Sequence, residues 1–164
     1  MKHSLVLVLG LVLTLGLGEQ VFAQSQIAFT GTNYASSTLK AMPIDQDHVV
    51  LIGEQMGVEV NDKAPFNNLS THFSLIVFFD KGASHLHGYG TYADKDGDKF
   101  IVEIWDFPSG SPNKGKGKVI GATGKFTGLE GTADFVTQSP GGWPQGTSRT
   151  ICQENWKLTL KNPM

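Results

Sequence analysis

Glycine and proline are spaced along this chain so closely that ordinary helices have nowhere to fit. After residue 23 there are 17 glycines and 7 prolines, and the longest run free of both is 16 residues. Each glycine inside a helix would cost about 1 kcal/mol relative to alanine, and each proline more. What the spacing does allow is short extended segments joined by turns, and alternation supplies the positive sign of them. Over 73–79, Phe73, Leu75, Val77 and Phe79 share one face while Ser74, Ile76 and Phe78 share the other. Over 99–107, Phe100, Val102 and Ile104 oppose Ile101, Glu103 and Trp105. Near the C-terminus, Trp156, Leu158 and Leu160 oppose Asn155, Lys157 and Thr159, and 48–59 forms a longer extended stretch interrupted by Gly53 and Gly57.

Turn signals separate these runs. Asp96-Gly97 sits between two β-like segments, where both residues tolerate positive φ. The polar, Gly- and Pro-rich stretches 108–117 and 139–146 read as exposed loops. About eight short strands without crossover helices predict an all-β fold, a single antiparallel closed barrel with a sandwich as the alternative.

The first 23 residues are set apart from this pattern. Met1-Lys2-His3 is a basic start, Ser4 to Leu17 is apolar, and Val21-Phe22-Ala23 places small residues where a signal peptidase cuts. The apolar run falls short of the roughly 20 residues that span a bilayer. The expected organisation is therefore a signal peptide over 1–23 and a β-barrel domain over 24–164. Export to the periplasm or beyond follows, with no membrane anchor left after cleavage. Cys152 is the only cysteine, so no internal disulfide can form and the core must hold the fold alone. A net charge of −2, with 13 basic and 15 acidic residues and no basic cluster, argues against nucleic acid as a partner.

The segment from Gly121 to Gly131, with glycines at 121, 124, 128 and 131 around Phe126, fits a tight bend whose phenyl ring plugs the interior. Its Gly-x-Phe-x-Gly-x-x-Gly pattern, followed by Thr132-Ala133-Asp134-Phe135, resembles the equivalent stretch of allene oxide cyclases, and dirigent proteins show a related one. The passage from Gly88-Tyr89-Gly90 through Asp96-Gly97-Asp98 to Gly131 is also similar to small exported bacterial proteins of unassigned activity. The resemblance implies an eight-stranded barrel with an apolar cavity that orients a reactive small molecule, and related barrels that form dimers or trimers. It covers about a third of the mature chain, and no carboxylate of the cyclases can be carried over residue by residue. Where that bacterial group often has Cys, this chain has Thr91.

Several residues carry chemistry on their own account. Glu103 and Glu54 are the candidate acid/base groups, because a carboxylate turned into a barrel is desolvated and its pKa raised. Strand register decides whether they face in or out. Phe73, Phe78, Tyr89, Trp105 and Trp156 are candidates to line a ligand cavity, as much as to fill the core. His85 and His87 share one strand face, a weak metal pair that would need a third ligand from His48, His72, Glu54 or Glu103. The cupin pattern is not met, since Thr91 and Tyr92 stand at its glutamate position and no histidine follows His87. Asp94, Asp96 and Asp98 fail the EF-hand pattern, with Lys99 and Trp105 at the glycine and glutamate positions. Nucleophile-elbow, phosphate-loop and dinucleotide signatures are absent from the chain.

Three functions remain from the sequence. The leading expectation is an exported barrel binding a small, largely apolar molecule without a cofactor. The second is a cofactor-free cyclase or isomerase of the allene-oxide-cyclase type. The third is a solid-cored interaction module.

Overall fold

The computed structural model describes residues 25–106, 112–140 and 148–161; the expected signal peptide lies outside them. Eight antiparallel strands follow one another around a closed barrel. They are β1 (Ser25–Pro43), β2 (His48–Val60), β3 (Leu69–Asp80), β4 (Ala83–Ala93), β5 (Lys99–Trp105), β6 (Asn113–Ala122), β7 (Leu129–Gln138) and β8 (Ser148–Leu160). The one helical piece among the described residues is a 3-10 turn, Gly124–Phe126.

Closure depends on β1, which is long enough to serve two neighbours. Ser25 to Ser37 pairs with β8, and Thr32 to Pro43 pairs with β2. That offset is the stagger that tilted strands need in order to close. Once closed, every second residue points inward. On β8 the inward column runs Ser148, Thr150, Cys152, Glu154, Trp156, Leu158, and on β3 it runs Leu69, Thr71, Phe73, Leu75, Val77, Phe79.

The two ends of the barrel differ. At one end Phe66, from the 61–68 connection, and Phe126, from the 3-10 turn, are both buried to 1% exposure. They pack against each other and against Phe100 and Phe29, with Trp156 edge-on to Phe100 and Tyr92. The expectation that Phe126 plugs the interior is met: Gly124 (φ 57°) and Gly128 (φ 84°) supply the left-handed backbone that folds the ring under the barrel.

One sequence expectation is corrected, and another is met with a refinement. The stretch 108–117 was expected to be a loop, but 113–117 belongs to β6. There Gly115 and Gly117 point inward while Lys114, Lys116 and Lys118 point out, an alternation whose inner members have no side chain to reveal it. At Asp96-Gly97 only Gly97 takes a positive φ (89°). The Asp94 carboxylate holds the turn instead, accepting the amide N–H groups of Asp96 and Asp98 at 2.8 and 3.0 Å. The same carboxylate pairs with Lys125, so this acidic turn is occupied in bracing the 3-10 segment.

Phe126→Ala is expected to lower the unfolding free energy by about 3–5 kcal/mol. Phe78→Ala, on the outer wall, should cost under about 1 kcal/mol. Urea denaturation of the two variants checks the contrast.

Candidate functional site

The other half of the barrel is hollow. A cavity of about 320 Å³ lies above the aromatic plug. Its walls are Leu39, Leu51, Phe73, Leu75, Val77, Phe79, Leu86, Ile104 and Phe135, with Asn113, Ser139 and Ser148 towards the mouth and Asn33, Cys152 and Glu154 at depth. The inward columns order these residues by depth. On β8 the sequence Ser148, Thr150, Cys152, Glu154 descends from mouth to floor, and Trp156 then begins the plug.

Two buried carboxyl groups lie here, Glu154 at the floor and Glu59 behind it. Glu154 and Glu59 are each 1% exposed. They flank successive inward positions of β1: Glu154 is the cross-strand partner of Gly31, and Glu59 that of Asn33. A side chain at Gly31 would collide with the Glu59 carboxyl, so only glycine leaves that space. The Tyr92 hydroxyl donates to both oxygens of Glu154, at 3.0 and 2.9 Å, and Trp156 Nε1–H donates at 3.1 Å. Asn61 Nδ2 donates to Glu59 Oε1 at 3.3 Å and to the Phe66 carbonyl at 2.8 Å, tying the carboxyl to the plug. Glu59 Oε2 is buried without a hydrogen-bond partner. Nearby, Asn33 Nδ2 donates to the Thr71 hydroxyl at 3.1 Å.

Burial sets the chemistry of these groups. Desolvation, opposed in part by the Asn61 hydrogen bond, pushes the Glu59 carboxyl up to about 7. Desolvation and the neighbouring Glu59 drive Glu154 well above the carboxylate range, against the pull of Tyr92 and Trp156. Two close carboxyls in a dry site share protons, so the pair titrates as a unit. Cys152, also pushed up by burial and by Glu154, is a thiol here and not a thiolate, with its Sγ 3.4 Å from the Thr137 hydroxyl.

The residues singled out from the sequence fall on both sides of the wall. Phe73 faces the cavity, and Trp156 is inside, beneath it. Phe78 and Tyr89 are 46% and 47% exposed on the outer surface, and Trp105 is half-buried there, so these three do not line the cavity. Glu103 and Glu54 also face outward. Glu103 lies 2.9 Å from His87 and Glu54 lies 3.4 Å from His72, both as partly exposed pairs. The register that turns Val102 and Ile104 inward necessarily turns Glu103 out, and Gln55 inward turns Glu54 out. His85 is exposed on the outer face, and His48 is held between Asp45 (2.6 Å) and Asp80 (3.2 Å). Among the described residues no three His, Cys, Asp or Glu side chains gather to hold a metal ion.

Glu154 was within reach of the sequence. Continuing the Trp156-Leu158-Leu160 face back by two residues reaches it, but the polar run Gln153-Glu154-Asn155 hides the strand. Glu59 shares its inward column with Gly53, Gln55 and Gly57, which carry no apolar signal at all.

The raised carboxyls make a pH prediction. A carboxyl that keeps its proton when folded favours the folded state most at low pH, and that contribution is lost as pH rises from about 4.5 through about 7. Between pH 5 and 7 the loss should approach about 1.4 kcal/mol per pH unit for each proton held. Glu59→Gln should flatten this slope in denaturation curves recorded across that range; an unchanged slope would contradict the pairing.

No family model and no curated protein matches the chain. Solved structures do. A pterocarpan synthase dirigent protein aligns with a TM-score of 0.54 and 12% identity, over 88% of this chain and 91% of that one. A protein of unknown function from the DUF3224 family, from Shewanella oneidensis MR-1, aligns with a TM-score of 0.52 and 12% identity, over 85% of this chain and the whole of that one. At such identity the likeness is one of fold: the chain shares the barrel of dirigent-like proteins.

Proposed function

We propose that this dirigent-like barrel is an exported binding protein whose mouth takes a small, largely apolar molecule. The observation that carries the reading is the cavity itself. Its 320 Å³ lie at the lower end of small-molecule sites, and its walls are mainly aliphatic and aromatic, with a few polar groups at the floor. An eight-stranded barrel is just wide enough either to pack solid or to hold one small ligand. Here the aromatic plug packs one half and leaves the other free. The solid-cored module accounts for the plugged half only.

One observation favours a second reading, a cofactor-free cyclase or isomerase: Glu154 stands at the cavity floor with a raised pKa. A neutral carboxyl in a dry pocket can lend a proton to a substrate oxygen and take one back, which is what an isomerisation requires. In that case the acid is Glu154, backed by Glu59, and not the outward Glu103 or Glu54.

Native mass spectrometry of protein taken from its own exported compartment tests the binding reading. The expected result is a small mass excess that is lost on denaturation. Ala35→Phe, which fills the cavity from the β1 wall, should remove it. A clean apo mass, together with no calorimetric response to 1-hexanol, n-hexylamine or hexanoate, would overturn the reading.

A further inference from the structure

The inward columns of the eight strands carry two acids and no base. Not one Lys, Arg or His among the described strand residues points into the barrel; every one of them is on the outer wall. The ion pairs His48–Asp45, His48–Asp80, His72–Glu54, His87–Glu103, Lys95–Asp96, Lys125–Asp94 and Lys161–Glu130 lie on the outer wall or in the turns, and neither Glu59 nor Glu154 takes part in one. Buried carboxyls ordinarily have a cationic partner, because an unpaired charge in a dry site is costly. Here no cationic partner is found among the described residues, one carboxyl oxygen of Glu59 is left without a hydrogen bond, and the neighbouring Glu154 is the group that reaches the cavity.

We propose that the ligand of this cavity is an amphiphilic amine, whose ammonium group pairs with the Glu154–Glu59 carboxyls while its apolar body lies along Phe73, Leu75, Val77 and Phe135. This rests on the reading of the cavity as a binding site and names the chemistry of its occupant. The donors already in place suit the role. Tyr92 and Trp156 both donate to Glu154, so they stabilise a carboxylate there. An acidic or phenolate ligand would instead bring a second negative charge to a site with no cation to meet it. A neutral alcohol would gain one hydrogen bond and no ion pair.

The titratable groups facing the pair are few. Tyr92 comes from β4 and Cys152 from β8, and burial with the adjacent carboxyls raises both. β1 contributes Gly31 and Asn33, β3 Thr71, β7 Phe135 and the 61–68 connection Asn61, none of which titrates. Only the carboxyl pair therefore changes charge near neutral pH. An ammonium binds its ionised form, so amine affinity should rise with pH as the pair loses its first proton.

The test uses the whole mature protein and three probes of one chain length: n-hexylamine, 1-hexanol and hexanoate, each titrated calorimetrically at pH 8 and pH 5. The expected result is that the amine binds at least tenfold tighter than the alcohol at pH 8. Its affinity should fall by about tenfold per pH unit below neutrality, while the alcohol changes little. Glu154→Gln should shrink the amine-to-alcohol ratio to about threefold or less; if that variant does not fold, the wild-type pH comparison decides alone. Equal binding of amine and alcohol, or preference for hexanoate, overturns the amine assignment and leaves the cavity reading standing. Failure of all three probes to bind overturns both.

Discussion

Everything else in this molecule follows from β1 pairing at once with β2 and with β8. With a single cysteine there is no internal disulfide, and few of the described residues are helical, so the ladder between first and last strands is what turns a meander into a closed object without edges. Closure also removes any choice about faces. With eight tilted strands, alternate residues are committed to an interior only wide enough for side chains or one small ligand. Small residues then decide where larger groups can lie: Gly31 makes room for the Glu59 carboxyl, and Gly117 leaves space beside Phe135.

The aromatic plug and the acidic floor are one construction. Trp156 packs with Phe100, Tyr92 and Phe135 and also donates its indole N–H to Glu154. Tyr92 stacks on Phe100 at 4.9 Å and gives its hydroxyl to the same carboxyl. Asn61 joins the Glu59 carboxyl to the loop that carries Phe66. The floor is therefore held by rings whose positions are fixed by packing, the arrangement that keeps a polar site rigid at the base of an apolar cavity. Losing the plug would loosen the site as well as the fold.

The outer wall follows different rules. Histidines 48, 72 and 87 each meet a carboxylate there, but solvent screens such pairs, and they add little stability singly. Asp45 raises the pKa of His48 by hydrogen bonding and charge, a local effect at the β1–β2 turn. Glu103 and Glu54, which resemble site residues when read as sequence, belong to this exterior.

The sequence by itself determined that the chain is β-structured, where its best strands and glycine-rich bend lie, and that Phe126 plugs the interior. Those follow from periodicity and from backbone freedom, which are local properties. Which carboxylates are inside was decided only by tertiary structure. A strand flanked by apolar residues on both faces, such as Phe100 to Trp105, reads equally well in either register, and β6 and the middle of β2 present glycine to the interior, where there is nothing to read. Barrel closure fixes one phase for each strand, and that choice sends Glu103 to solvent and brings Glu59 and Glu154, 95 residues apart in the chain, into one buried site.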